Sequence, residues 1–189
     1  EHFSLFQYFN NSKFKNIETK NVYLTASGGP FYKDNKNQIS KKSVKQALNH
    51  PKWKMGYKNS IDSATLVNKC LEIIEAHYLF NLPFEKLKII IHPEALIHSI
   101  IEFKNYTSIM NYFYHDMSIP LYNFFSYANK ICKYDLNNEI FSFKMKETLN
   151  FDNPDIEKFP ILKIFNKLDK SNPLEVIKFN CSNEFAVEL

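Results

Sequence analysis

One stretch, Asp62-Ser-Ala-Thr-Leu-Val-Asn-Lys-Cys-Leu-Glu72, gathers a hydroxyl, an amide, an ammonium and a carboxylate at helical spacing. Asp62-Ser-Ala-Thr65 predicts a helix N-cap, with the helix starting near Ser63. Asn68 and Glu72 are then at i,i+4 and Lys69 and Glu72 at i,i+3, so all three share a face. Ser63 falls at the helix N-terminus, where unpaired N–H groups and the dipole favour an anion. Ser63, Asn68 and Lys69 would make a phosphate pocket, and Glu72 one turn on could hold a hard divalent cation. The same residues also describe a capped amphipathic helix with a solvated Lys–Glu pair; the stretch by itself leaves both readings open.

Ser27-Gly28-Gly29-Pro30 follows a predicted strand, as phosphate-contacting turns do. It is neither GxGxxG nor a Gly-Lys-Ser/Thr loop, so neither a dinucleotide fingerprint nor a P-loop. Taken alone it is also an ordinary turn. Trp53 is the only Trp and lies in a polar loop, His50-Pro-Lys-Trp-Lys-Met-Gly56. Its two lysine neighbours argue against a core position and for a lid over a ligand. His92 and His98 are six apart in His-Pro-Glu-Ala-Leu-Ile-His, which is not a zinc spacing, and they read as satisfied structural histidines. Cys70, Cys132 and Cys181 form no CxxC pair and imply inert thiols in a reducing compartment.

The elements that must position these groups are legible in outline. Phe3–Phe9 suggests a short helix and Asn21–Thr25 a buried strand, followed by a loop and a short helix to about Asn49. Leu66, Val67, Cys70, Leu71, Ile74, Tyr78 and Leu79 continue the helix after Asp62, closed by Asn81 and Pro83. Leu87–Ile91 is an apolar strand; Ile97–Phe103 and Thr107–Tyr114 alternate as a hairpin across Lys104-Asn105-Tyr106. Asp116–Pro120 is a turn, then an aromatic helix runs to about Tyr127. A poorly periodic region follows, with one strand near Ile140–Phe143, and then helices around 159–168 and from Asn180 onward.

The chain has 189 residues, 44% of them hydrophobic and 23% charged, which are globular values and exclude wholesale disorder. No apolar run approaches the roughly 20 residues of a membrane span. All 24 basic residues are Lys and are interleaved with acids, so the net charge of +4 marks no nucleic-acid footprint. Without Arg, the commonest base-edge contacts are missing.

Taken together, Glu1-His2 with Leu5-Phe6-Gln7, Ser27-Gly-Gly-Pro-Phe31, His50–Gly56, Asp62–Glu72, His92–Ser99 and Asp116-Met-Ser-Ile-Pro120 resemble the 1-deoxy-D-xylulose 5-phosphate reductoisomerases in order and spacing. The likeness is strong to about Pro120 and weaker through Asn183-Glu184. It implies NADPH- and Mg²⁺- or Mn²⁺-dependent conversion of 1-deoxy-D-xylulose 5-phosphate to 2-C-methyl-D-erythritol 4-phosphate, a step of non-mevalonate isoprenoid synthesis. Carried over residue by residue, Glu1 matches the Glu of the family's Asp-Ser-Glu-His metal motif and Glu72 its third carboxylate. Ser27, Ser63, Asn68 and Lys69 match phosphate contacts. His50 matches the substrate-side, catalytic His of a flexible loop, Trp53 its covering indole, and Met55 and Gly56 cofactor contacts. Two departures, the absence of Trp-Pro in Ser126–Lys130 and Cys70 in place of a usual Gly, touch none of these positions.

The resemblance implies an α+β fold, a small mostly antiparallel sheet backed by helices. It divides the chain into a catalytic metal- and substrate-binding domain (1–126), a linker (127–152) and the start of a C-terminal helical domain (153–189). The family's Gly-rich NADPH domain and the Asp and Ser of its metal motif would precede Glu1, so this chain alone is expected not to turn over substrate. The expected partner set is a sugar phosphate and a second subunit in a homodimer, with no nucleic acid and no membrane, in bacterial cytoplasm or plastid stroma. The alternatives are a non-catalytic relic or module that binds a sugar phosphate or protein partner, and an RNA binder, for which no RRM or KH motif exists.

Overall fold

Four short apolar runs set the architecture. Thr19–Ala26 (β1), Leu87–Ile91 (β2), Ile97–Phe103 (β3) and Ser108–Tyr112 (β4) form one sheet in the order β2-β1-β3-β4. β1 and β2 run parallel, with Val22 opposite Leu87 and Ala26 opposite Ile91. β1 with β3 and β3 with β4 are antiparallel, so the sheet is mixed and mostly antiparallel as expected. The β3–β4 hairpin is present, with Tyr106 in the left-handed region at φ 66°. The computed structural model describes residues 1–9, 18–113, 116, 118–129 and 148–189. The strand expected over Ile140–Phe143 lies outside them.

One face of the sheet is buried under helices α1 (His2–Phe9) and α5 (Val67–Phe80). Val22 and Leu24 of β1, Ile101 and Phe103 of β3, Leu5 of α1, and Cys70 and Ile73 of α5 are at most 3% exposed. Removing such side chains from water contributes about 1.5–3 kcal/mol each, far more than helix propensity supplies. Helices α7 (Ile161–Lys167) and α8 (Pro173–Glu188) extend the same core through Leu162, Phe165, Val176 and Phe179. Between β1 and α5 the chain forms the single-turn helices α2 (Lys36–Ile39) and α3 (Val44–Ala47), where one short helix was expected. Helix α6 (Ser118–Asn129) follows the Asp116 turn, whose carboxylate accepts from the Ser118 N–H at 2.8 Å.

The helix expected to start at Asp62 starts earlier. Helix α4 runs Tyr57–Thr65 and stops at Leu66, which adopts φ 64°, and α5 begins at Val67. Asp62 is not a cap. It is 1% exposed, and its oxygens meet Asn183 Nδ2 at 3.0 Å and Lys58 Nζ at 2.5 Å. Lys58 also reaches Glu184 at 2.7 Å, so α8 is tied to α4. Helix α4 is polar except for Tyr57, Ile61 and Ala64, so its period is faint. The last helix likewise begins at Pro173 rather than Asn180. Asn172 caps it by accepting from the Leu174 N–H at 3.0 Å, and Pro173 occupies the first turn, where its missing N–H costs nothing.

Candidate functional site

A cavity of about 300 Å³ opens beyond the C-terminal end of β1, lined there by Thr25, Ala26 and Ser27. Glu1, Ser27, His50, Trp53, Met55, Ser63, Asn68, Lys69 and Glu72 all line it. Of the ten site residues expected from sequence, only Gly56 lies outside the lining.

Strand β1 delivers Ser27 directly to the pocket, and two left-handed glycines turn the chain there, Gly28 at φ 85° and Gly29 at φ 66°. A Cβ on Gly29 would lie 2.7 Å from the Ser63 carbonyl oxygen, so the turn seats against the end of α4. A Cβ on Gly28 would lie 2.7 Å from the Tyr32 ring. Tyr32 in turn donates its hydroxyl to Asp152 at 2.7 Å, and the carboxylate pushes the phenol up to about 12. The segment behind it is pinned by the Ile91–Asp152 bridge and by His92, whose Nδ1 lies 2.9 Å from the Asn150 carbonyl. Ser63 is therefore near the end of α4, not at a helix N-terminus as expected. It lines the pocket from the last turn of α4, which ends at Leu66 in a left-handed conformation; that conformation costs about 1–2 kcal/mol for a non-glycine residue and is offset here by burial of the Leu66 side chain at 2% exposure.

Glu1 is held by α1. Its carbonyl accepts from the Ser4 and Leu5 N–H groups, and the buried Ser4 hydroxyl pairs with Ser99 of β3 at 2.7 Å. Lys69, 5% exposed, donates to Glu1 Oε1 at 2.7 Å and to Glu72 Oε2 at 2.8 Å. Asn68 Nδ2 donates to Glu72 Oε1 at 2.6 Å, which is the i,i+4 contact expected. Burial is the largest single influence and would raise the Glu1 carboxyl, but Lys69 and the weaker positive charges around it together outweigh burial and hold the group down at about 2. Glu72 moves up, first from burial and then from repulsion by Glu1. Burial works against the Lys69 charge, but the two carboxylates more than restore it, and its pKa is raised.

His50 Nδ1 accepts from the Lys52 and Trp53 N–H groups at 3.2 and 3.0 Å. That fixes the neutral tautomer with hydrogen on Nε2, and burial lowers its pKa in the same sense. Nε2 then donates to Ser27 Oγ at 3.2 Å, and Ser27 Oγ also accepts from the Gly29 N–H at 3.3 Å. With both acceptor sites of Ser27 used, its hydroxyl hydrogen remains available to donate. Trp53 is half-buried at the rim. His98, expected to be structural, also lines the cavity, and its buried Nε2 has no hydrogen-bond partner among the described residues. Desolvation brings it down to about 4. Strand alternation does not place it, because β3 slips register against β4 between Ile97 and Ser99, at His98 itself.

The donor set bears on the implied metal. Two carboxylates, 13% and 24% exposed, converge on one cationic group, which suits a hard divalent ion. Among the described residues no cluster of three or more His, Cys, Asp or Glu side chains adds to them, so the described part of the site presents two carboxylates. A dinucleotide finds less support, since a Cβ on Gly56 would meet no atom within 4 Å and no cradle is formed there. A larger cleft of about 860 Å³ between α5, β2 and α7 contains none of the site residues. Among the described residues no helix is long and apolar enough to cross a membrane.

Comparison with known proteins agrees in every direction. The model of the 1-deoxy-D-xylulose 5-phosphate reductoisomerase C-terminal domain matches residues 1–80, and that of the DXP reductoisomerase C-terminal domain matches residues 114–189. The chain is 43% identical over its full length to 1-deoxy-D-xylulose 5-phosphate reductoisomerase of Clostridium kluyveri and 43% identical over 99% of its length to that of Sulfurihydrogenibium. It covers 48% of each, so it spans about half the length of these relatives. Among solved structures it resembles the Zymomonas mobilis enzyme in complex with NADPH, with a TM-score of 0.82 and 31% identity over 100% of this chain and 47% of the other. It also resembles a DOX-P reductoisomerase in complex with NADPH, fosmidomycin and magnesium, with a TM-score of 0.80 and 36% identity over 90% of this chain and 41% of the other.

Proposed function

The chain belongs to the 1-deoxy-D-xylulose 5-phosphate reductoisomerase family, and we propose that its pocket is the metal and substrate site of that reaction, the NADPH-dependent rearrangement and reduction of 1-deoxy-D-xylulose 5-phosphate to 2-C-methyl-D-erythritol 4-phosphate. The observation that carries this reading is the convergence of Glu1, Lys69 and Glu72 with Ser27, His50, Ser63 and Asn68 on one cavity. Chemically unrelated groups from α1, β1, α4, α5 and the 50–56 loop meet there, which a merely solvated Lys–Glu pair would not require.

Glu1 and Glu72 would hold the divalent ion, Mg²⁺ or Mn²⁺. When bound, the ion supplies Lewis-acid polarisation and a template for the substrate's oxygens. Ser27 and Ser63 offer hydroxyl hydrogens, Asn68 an amide and Lys69 an ammonium to the phosphate, and charge-assisted bonds of that kind are the strong ones. Neutral His50 keeps its Nε2 hydrogen beside Ser27 and donates there without adding a charge. Trp53 covers the carbon skeleton and excludes water, as a lid does. Met55 lines the pocket next to Trp53 and would contact the nicotinamide cofactor, which supplies the hydride when bound; Gly56 stands outside the lining, so its contact would be at the rim. Binding energy from the phosphate end is available to hold the 50–56 loop closed. The working protein is a homodimer in bacterial cytoplasm or plastid stroma. The metal- and substrate-binding part is 1–126, joined by residues 127–152 to a helical part that starts at 153.

Calorimetric titration with fosmidomycin tests this. Binding is expected only with Mg²⁺ or Mn²⁺ present and is expected to be lost in Glu72→Gln. Lys69→Ala is expected to weaken the metal-loaded complex by about 1.5–3 kcal/mol, the worth of a charge-assisted hydrogen bond. Binding that ignores the metal, or that survives Glu72→Gln unchanged, would put the ion elsewhere.

A further inference from the structure

Lys69 has two competing demands on it. The phosphate reading asks its ammonium to face a bound anion, yet in the structure it donates to Glu1 Oε1 at 2.7 Å and Glu72 Oε2 at 2.8 Å, the oxygens the metal reading assigns to a divalent ion. Its side chain is 6% exposed, so it has no solvated resting place. Asn68 holds the other oxygen of Glu72 at 2.6 Å, which leaves Oε2 as the oxygen that turns toward Glu1 and Lys69. Ser27, Ser63 and Asn68 line the same cavity as Lys69, whose ammonium sits on a flexible four-carbon stem.

We propose that Lys69 is an internal counter-cation of the carboxylate pair, displaced by the divalent ion and thereby handed to the anion. A small dication bound by Glu1 and Glu72 replaces the ammonium on the shared oxygens and repels it. The ammonium then turns to the acceptor-rich ligand beside Ser27 and Ser63. Cation and anion binding are coupled through one side chain, and each raises the affinity of the other by the same factor. This inference rests on the metal-site reading above.

The test measures binding on the purified protein, with Mn²⁺ and inorganic phosphate as probes. Mn²⁺ affinity is read by electron paramagnetic resonance and phosphate affinity by calorimetry, for the unmodified protein and for Lys69→Met, which keeps the stem and removes the charge. Losing the competing cation should tighten Mn²⁺ binding, and Mn²⁺ should tighten phosphate binding in the unmodified protein alone, each by about 5-fold or more on the scale of ordinary coupling. Unchanged or weaker Mn²⁺ binding in Lys69→Met overturns the displacement, as does phosphate coupling that persists without Lys69. Failure of both proteins to bind Mn²⁺ overturns the metal-site reading and the displacement with it. Lys69→Met leaves two carboxylates without a counter-charge, and if it does not fold, a second measurement on the unmodified protein decides. Reductive methylation with peptide mapping should find Lys69 protected in chelator and labelled once Mn²⁺ is added; labelling that Mn²⁺ leaves unaltered overturns the proposal.

Discussion

Gly29→Ala isolates the seating of the Ser27–Gly29 turn against α4. Gly29 has φ +66°, and an added Cβ would lie 2.7 Å from the Ser63 carbonyl oxygen and 3.3 Å from Ala64 Cα, both backbone atoms. The left-handed conformation costs an alanine about 1–2 kcal/mol, and forcing two backbones apart adds an overpacking cost of about 1–3 kcal/mol. The sum, about 2–5 kcal/mol, is a large share of a typical folding free energy of about 5–15 kcal/mol. For a chain of this size each kcal/mol lowers Tm by about 2–4 °C, so thermal unfolding followed by circular dichroism should fall by several degrees at least. Phosphate affinity should fall with it, because Ser27 and Ser63 are the residues driven apart. Gly56 is the internal control. A Cβ there meets nothing within 4 Å and Gly56 occupies the N-cap of α4, so Gly56→Ser should leave Tm unchanged or raise it. A Gly29→Ala protein with the parent's Tm and phosphate affinity would refute the proposed contact between turn and helix.

Three further outcomes follow from the same geometry. His98 is lowered to about 4 from an ordinary value near 6.5, so the unfolded chain takes up a proton in that window and the native one does not; stability should decline as pH falls from about 6.5 toward 4, by about 3 kcal/mol in all, and His98→Asn should flatten that limb in urea titrations. Cys70 is 0% exposed and burial pushes its thiol up to about 12, whereas Cys181 is exposed; in a Cys132→Ser background, a thiol reagent should label one cysteine in the native protein and two in denaturant. Trp53 is the sole Trp and sits at the pocket rim, so its emission should shift or quench when a phosphonate analogue and Mg²⁺ are added, an unmoved and already blue-shifted emission being the contrary result.

The sheet and the polar face of α5 were legible because they rest on strong local patterns. Leu87–Ile91 and Ile97–Phe103 are runs of β-branched and aromatic residues, and Asn68, Lys69 and Glu72 follow helical spacing that no tertiary contact had to supply. The helix start was misplaced because Asp62 has a capping residue's chemistry but spends it on Lys58 and on Asn183, 121 residues away. Only the packing of α8 against α4 reveals that. The onset of α8 was, by contrast, written locally in Asn172-Pro173 and was missed for want of an apolar period. Ser27, Ser63, Asn68 and Lys69 line one cavity, as their chemistry suggests. Ser63 lines the pocket from the last turn of α4 and not from a helix N-terminus, because α4 ends only at Leu66, whose left-handed conformation no sequence rule predicts for a leucine. The bridging of Glu1 and Glu72 by Lys69 was likewise invisible, since it joins α1 to α5 across 68 residues.

The central claim is that Glu1 and Glu72 hold a divalent ion beside an anion subsite built from Ser27, Ser63, Asn68 and Lys69. A crystal grown with Mn²⁺ and fosmidomycin, with data collected at the manganese absorption edge, tests it directly. An anomalous peak is expected within about 2–2.5 Å of a carboxylate oxygen of each of Glu1 and Glu72, the range for oxygen ligands of hard cations. The phosphonate should lie against Ser27, Ser63 and Asn68, with Lys69 Nζ turned toward it. A manganese peak away from both carboxylates, or a phosphonate bound outside this cavity, would contradict the claim.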